Sequence, residues 1–303
     1  MIRFSNLKTF LVSAAIAMIA VSVFGQSRNN ARGVGELDGA VLTVTAARTD
    51  GSKDPIRVEN LSLYENSVEQ KIKNFAFDPA PSKIVLLIDN SQTLPTDVEV
   101  LKQATMEFAY EIFDGDQLFV IAYDEKPEII QEWTDDAKKM EASLATFRKE
   151  GNPYLFDALM AASREVLAPL MPGTRKVAVV VIGDGLDRGS KSKFSKTLDE
   201  LQSRNVTVYF LQIPDRTNSA YRRNQPKARE VVKQLTEGTG GLIFPLEDAQ
   251  TAAKTICDEL RNNRYNLSYL PTNTSTYDAR KLFILGQDGI KVRTKAAHPP
   301  TVK

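Results

Sequence analysis

Two short apolar runs stand out of an otherwise mixed chain. Ile84 to Ile88 (IVLLI) and Val177 to Ile182 (VAVVVI) carry no polar residue on either face. Runs this short and rich in Val, Ile and Leu predict strands buried on both sides within a parallel sheet. Between Lys83 and Asn263, strand patterns alternate with helical ones. Thr96-Asp97-Val98-Glu99 reads as a capping box. It opens a helix in which Val100, Ala104, Phe108 and Ile112 share one face. Gln117 to Tyr123 is the next strand, and Glu128 to Thr134 a short edge strand. Asp135 to Lys149 and Leu155 to Leu170 read as amphipathic helices, the second stopped by Pro172-Gly173. After the Val177 strand come a helix near Lys193 to Ser203, a strand over Thr207 to Ile213 and a helix over Pro226 to Thr236. Gly238 to Gly241 ends that helix; a strand over Leu242 to Leu246 and a helix over Asp248 to Asn263 follow. The alternation predicts an α/β fold built on a doubly wound parallel sheet.

The flanks have a different period. Ala40 to Ala47, Leu61 to Tyr64 and Glu69 to Phe77 have β character, with Glu65-Asn66-Ser67 as a turn. Tyr265 to Leu270 and Lys281 to Leu285 read as strands. Gln287-Asp288-Gly289 is a hairpin signal leading into Ile290 to Thr294. A doubly wound domain receives and releases its chain at the surface, and domain termini often lie close together. The two flanks are therefore expected to pack as one small β module. The expected division is a signal peptide over 1–25, a linker over 26–39 and an N-terminal β segment over 40–80. An α/β domain over 81–264 and a C-terminal β segment over 265–303 complete it.

Composition removes several functions. The chain has 303 residues, is 42% hydrophobic and carries a net charge of +1. That charge gives no electrostatic case for nucleic acid. Arg3 and Lys8 precede an apolar stretch from Phe10 to Phe24, followed by Gly25. This is the layout of a secretory signal, and the stretch is short for a membrane span. We expect cleavage, export to the periplasm or the extracellular space, and no membrane attachment afterwards; an uncleaved anchor is the alternative. Cys257 and His298 are the only residues of their types. An intrachain disulfide is thus impossible, and a zinc site of the His/Cys type lacks ligands. A lone His near the C-terminus is poorly placed to be the base of a Ser or Cys nucleophile. Cys257 reads as a small buried hydrophobe in a helix.

Chemistry concentrates where the two apolar strands end. Open parallel sheets bind ligands beyond the carboxyl ends of their strands. The first run ends in Asp89-Asn90-Ser91-Gln92-Thr93, an acid followed by hydroxyls at alternate positions. The second ends in Gly183-Asp184-Gly185, and Asp184 can add a carboxylate through water. Oxygen ligands of this kind suit a hard cation, and magnesium keeps several waters of its own. Ser, Asp and Asn are also ordinary turn residues, so a plain turn remains open on this chemistry alone.

IDNSQT, then GNPYLFDAL, then VVIGDGLD together resemble the von Willebrand factor type A domain. That family binds a divalent cation at a metal-ion-dependent adhesion site of pattern D-x-S-x-S with a distant Thr and a distant Asp. The resemblance implies Asp89, Ser91, Thr93 and Asp184 as metal ligands, with Thr93 in place of the second Ser. The ion implied is Mg²⁺, Mn²⁺ or Ca²⁺, and the implied partner is a protein offering an acidic group to it. The distant Thr falls at Pro153, which supplies no side-chain oxygen. Its loss should weaken the metal or favour a resting arrangement. The flanks are similar to those of von Willebrand A-related proteins common in acidobacteria. Leu61 to Ile72 follows half of an L-x-x-x-D-F-x-V-x-E-D-G-x-x-Q-x-I pattern, while Tyr265 to Pro271 and Val292 to Lys295 match its closing strands.

Rival readings have incomplete motifs. Gly185 to Ser192 approaches a phosphate loop after a strand, but Ser190 stands where a Gly must let the backbone meet phosphate. An acyl-phosphate nucleophile at Asp89 would need an acid two residues on, where Ser91 sits. The expectation is an exported, non-enzymatic protein-binding module with a partly degenerate metal site. A metal-free scaffold is the alternative, and a hydrolase or NTPase comes after that.

Overall fold

The computed structural model describes residues 39–171, 173–214, 226–273, 277–287 and 289–301. The expected signal peptide and nearly all of the linker lie outside them. The chain opens with β1 (Ala40–Arg48), β2 (Leu61–Glu65), β3 (Val68–Gln70) and β4 (Ile72–Phe77). It continues through β5 (Lys83–Asp89), α1 (Val98–Glu111), β6 (Gln117–Tyr123), β7 (Pro127–Thr134), α2 (Ala137–Leu144) and α3 (Leu155–Ala161). Then come β8 (Val177–Gly183), α4 (Phe194–Ser203), β9 (Thr207–Gln212), α5 (Ala228–Thr239), β10 (Ile243–Pro245) and α6 (Ala249–Asn262). It closes with β11 (Arg264–Tyr269), β12 (Arg280–Gly286), β13 (Ile290–Arg293) and β14 (Ala297–His298).

The central sheet has the order β10-β9-β8-β5-β6-β7. Every pairing is parallel except β6 with β7. That exception follows from chain length, because the short link from Tyr123 to Pro127 allows a hairpin but no crossover. Successive side chains of β5 face opposite ways. Ile84, Leu86 and Ile88 pack with Phe108, Ile256 and Leu260 on one side. Val85 and Leu87 pack with Tyr123, Leu159, Leu201 and Leu235 on the other. Cys257 lies buried in α6, as its position suggested.

Some element ends depart from expectation. The Thr96 capping box does not form: the N-cap of α1 is Asp97, and its side chain makes no cap bond. The helix expected over Asp135 to Lys149 stops at Leu144. Asp136 caps its start by accepting from the amides of Lys138 and Lys139. At its end the amides of Ala145, Thr146 and Phe147 bond three residues back, which tightens and ends the coil. Arg148 to Gly151 is then free to bond elsewhere, as described below. The helix expected over Leu155 to Leu170 is helical throughout, but it passes from α into π and then 3₁₀ hydrogen bonding at Ala162 and Ala168.

The flanks pack together as a β-sandwich. One sheet has the order β13-β1-β11-β4 and the other β14-β12-β2-β3. Leu42, Val44, Leu63, Leu267, Tyr269 and Ile284 fill the space between them. Asn66 and Ser67, both at positive φ, make the tight turn between β2 and β3. Two expectations fail here for one reason. The run Glu69 to Phe77 is not one strand: it breaks at Lys71, with β3 in one sheet and β4 in the other. The turn at Gln287 does form, with the Ile290 amide donating to the Gln287 carbonyl at 2.9 Å. Yet β12 pairs with β2 while β13 pairs with β1, so the turn joins the two sheets rather than a hairpin. A local alternation cannot say which sheet a strand joins.

The sandwich docks at the amino ends of the parallel strands. The Arg264 guanidinium donates to Thr207 Oγ1 at the start of β9 (2.5 Å) and to Thr45 Oγ1 of β1 (2.7 Å). Lys176, just before β8, donates to the Asp78 carbonyl at 2.6 Å. Glu259 of α6 accepts from Thr45 (3.2 Å), Tyr209 (2.5 Å) and Arg293. The carboxyl ends of the strands are left uncovered by this module. No helix among the described residues is long and apolar enough to cross a membrane.

Candidate functional site

Asp89 is the last residue of β5, and Asp184 directly follows β8, its sheet neighbour. Asp89, Ser91 and Asp184 are buried, whereas Thr93 is exposed at the rim. The loop turns on the Asp89 side chain, whose Oδ1 accepts from the Ser91 amide at 2.8 Å. That turn aims the Ser91 hydroxyl along the same side as Thr93, with the two oxygens 3.3 Å apart. In the second loop Asp184 Oδ1 accepts from the Leu186 amide at 2.8 Å. The structure thus brings together the four residues singled out in the sequence.

Electrostatics at this strand end are unfavourable without a cation. Burial, and then the charge of Asp184, push the Asp89 carboxyl up to about 7, against the hydrogen bonds from Ser91 and the positive charge of Lys149. Asp89 Oδ2 and Asn90 Oδ1 are buried acceptors with no hydrogen-bond partner among the described residues. An all-oxygen donor set with stranded acceptors and two neighbouring carboxylates fits a hard divalent ion. Among the described residues no group of three or more His, Cys, Asp or Glu side chains is placed to hold a metal ion. Two carboxylates and two hydroxyls are what this position offers.

The sequence did not foretell how firmly the site loop is held. Arg148 to Gly151 lies along it. Asn90 Nδ2 donates to the Arg148 carbonyl (3.1 Å), the Glu150 amide donates to the Asn90 carbonyl (2.8 Å), and the Gln92 amide reaches the Gly151 carbonyl (3.2 Å). Lys149 donates to the carbonyls of Leu94 and Thr96. Gly151, at φ +56°, then turns the chain into Pro153. Pro153 is buried, and its carbonyl accepts from the Arg188 amide at 2.7 Å.

Two further acids tie the neighbouring loops together. Asp157 Oδ1 and Oδ2 accept from the amides of Ser192 and Lys191, each at 2.9 Å. Burial raises the Asp157 carboxyl, but these hydrogen bonds outweigh it and leave the group below its ordinary range. Asp187 Oδ1 accepts from the Phe156 amide at 3.1 Å and from Ser190 Oγ at 2.5 Å. Its pKa stays raised because burial outweighs those bonds. The Gly185 to Ser192 segment is therefore no phosphate cradle, since carboxylates already take the amides of Ser190, Lys191 and Ser192. Both acids sit inside the stretches that carried the family resemblance, Asp157 near the start of an expected helix and Asp187 after an expected strand, with no role assigned to either.

The family model of the von Willebrand factor type A domain matches residues 83–259. The chain belongs to that family. Its von Willebrand A domain runs from β5 into α6, and the sandwich lies outside the match. Domains of this family are generally interaction modules rather than enzymes, and they often bind a metal at the adhesion site. No curated protein matches the sequence. Solved structures resemble it at low identity. An aerotolerance-related membrane protein from Bacteroides fragilis, with multiple mutations to serines, is 17% identical with a TM-score of 0.46, covering 59% of this chain and 98% of its own. The conserved hypothetical protein BatB from Bacteroides thetaiotaomicron is 17% identical with a TM-score of 0.46, at 59% and 97% coverage. A von Willebrand factor type A protein from Catenulispora acidiphila is 11% identical with a TM-score of 0.49, at 73% and 66% coverage.

Proposed function

We propose that this chain is an exported von Willebrand A protein-binding module that grips its partner through a divalent cation. Asp89, Ser91, Thr93 and Asp184 hold Mg²⁺ or Mn²⁺, and an acidic side chain of the partner completes the ion's ligands. The observation that carries this reading is the pair of buried carboxylates at neighbouring strand ends, one with a stranded oxygen, beside two hydroxyls 3.3 Å apart. A cation held there would relieve the repulsion between Asp89 and Asp184, at the end of the sheet that the sandwich leaves uncovered. The sandwich bonds to the domain at the other end and leaves this face to the partner. Export rests on the charged and apolar pattern of residues 1–25.

Pro153 and Lys149 favour the second reading, a metal-free scaffold. Pro153 offers no hydroxyl to the ion, and the Lys149 charge already eases the Asp89 carboxylate downward. Partner capture separates the two. Mature protein is immobilised and exposed to the envelope and medium fractions of its own cells, in Mg²⁺ or in EDTA. The metal reading expects a bound protein in Mg²⁺ that is lost in EDTA and with Asp89→Ala. Capture that is indifferent to both supports the scaffold.

A further inference from the structure

Tyr123 ends β6, the neighbour of β5, and is paired in register with Asp89. Its ring packs in the core among Val85, Leu87 and Val181, where a phenylalanine would fit as well. Its hydroxyl is fully buried and meets no partner at ordinary hydrogen-bond geometry among the described residues, although Asp89 stands close enough to interact with it. Leaving a buried hydroxyl unsatisfied is costly, because its lost hydration goes unreplaced. Asp89 Oδ2 is likewise buried with no hydrogen-bond partner of ordinary geometry among the described residues. Both oxygens surround the bare α-carbon of Gly183 on β8. A Cβ added there would stand 3.1 Å from Tyr123 Oη, 3.0 Å from Asp89 Cβ and 3.4 Å from Asp89 Oδ2.

We infer that Tyr123 is a positioning residue of the metal site: its phenol donates to Asp89 Oδ2, and Gly183 is the gap that lets the two meet. A phenol is a donor and a carboxylate an acceptor, so each atom supplies what the other lacks. The Ser91 amide already fixes Oδ1. With Tyr123 on Oδ2 the carboxylate is held from both sides, and each oxygen keeps a lone pair for the ion or its waters. Groups of this kind, one layer behind a ligand, typically change metal affinity 10–100-fold when removed. Tyr123 touches no metal in this arrangement; it acts through Asp89.

The inference deepens the metal reading and is tested so that the two can fail separately. The first arm is free of metal. In EDTA, urea midpoints are measured for wild type, Tyr123→Phe, Asp89→Ala and the double variant. Phenol and carboxylate that bond each other give shifts that fall short of additive in the double variant; additive shifts overturn the inference whatever the metal does. The second arm titrates Mg²⁺ by calorimetry. Tyr123→Phe should bind at least about tenfold more weakly. Gly183→Ala should weaken Mg²⁺ in wild type, and less so in the Tyr123→Phe background, where room has been made. Equal affinity of folded Tyr123→Phe and wild type overturns the inference and spares the metal reading. Absence of Mg²⁺ binding in wild type sinks the metal reading, and the EDTA arm then decides the hydrogen bond alone.

Discussion

Glu259 is the place to test what the buried polar joint at the foot of the von Willebrand A domain contributes to stability. Its buried carboxylate accepts from Tyr209 on β9, Thr45 on β1 and Arg293 on β13. Glu259→Ala removes all three bonds. Tyr209 is fully buried, so its stranded hydroxyl costs about 1–3 kcal/mol. The Arg293 side chain is 30% exposed, so water screens its loss and about 1 kcal/mol is the ceiling for it. Thr45 keeps its bond from Arg264 and adds little. The sum is about 3 kcal/mol, which for a domain of this size lowers Tm by roughly 6–10 °C. The assay is thermal unfolding followed by fluorescence of Trp133, the only tryptophan, which sits on β7 at the far edge of the central sheet. Because Tyr209→Phe leaves no hydroxyl to strand, adding Glu259→Ala to it should cost less than in wild type. An unmoved Trp133 transition would refute the reasoning, since the bonds to Glu259 would then add nothing to the unit that Trp133 reports.

Three further outcomes are expected. Lys295 is buried with its ammonium donating to the Gln202 carbonyl at 2.7 Å, and burial, then Arg280, bring its pKa down to about 7. Its folded pKa lies below its unfolded value of 10.5, so the unfolded chain binds the proton more tightly and stability rises as pH climbs from about 7 toward 10.5. Urea unfolding of Lys295→Met should show a flatter profile across that window, by up to about 1.4 kcal/mol per pH unit; a profile parallel to wild type would count against it. Asp187→Ala frees the Phe156 and Ser190 amides, so hydrogen exchange at both should accelerate while β8 stays protected; unchanged exchange would show that the lacing does not hold the loop. Pro153→Thr restores a hydroxyl at the third loop and should tighten Mg²⁺; unchanged or weaker affinity in a folded variant would speak against the ligand shortage described for the site.

The central fold was legible because strands buried on both faces announce themselves as unbroken apolar runs, and β5 and β8 are of that kind. The acids that end them were legible for the same reason, standing where such runs stop. What stayed hidden needed the third dimension. Lys71 and the turn at Gln287 move the chain between sheets without disturbing the alternation on either side. Nothing in the sequence pattern marked Glu259 or Arg264, yet they form the buried joint between the two modules. Helix α2 ends early because Arg148 to Gly151 bonds to the site loop, a gain that no local helical propensity records. Tyr123 read only as the end of a strand, and the glycine opposite and a stranded carboxylate oxygen are what give its hydroxyl a role.

The most direct measurement of the central claim is the melting temperature of the mature chain in Mg²⁺ and in EDTA, for wild type and Asp89→Ala. A ligand that binds only the folded state adds about 2.7 kcal/mol at a hundredfold excess over its dissociation constant, or roughly 5–10 °C here. The account predicts that rise in wild type and none in Asp89→Ala, whereas identical wild-type melting in Mg²⁺ and EDTA would contradict it.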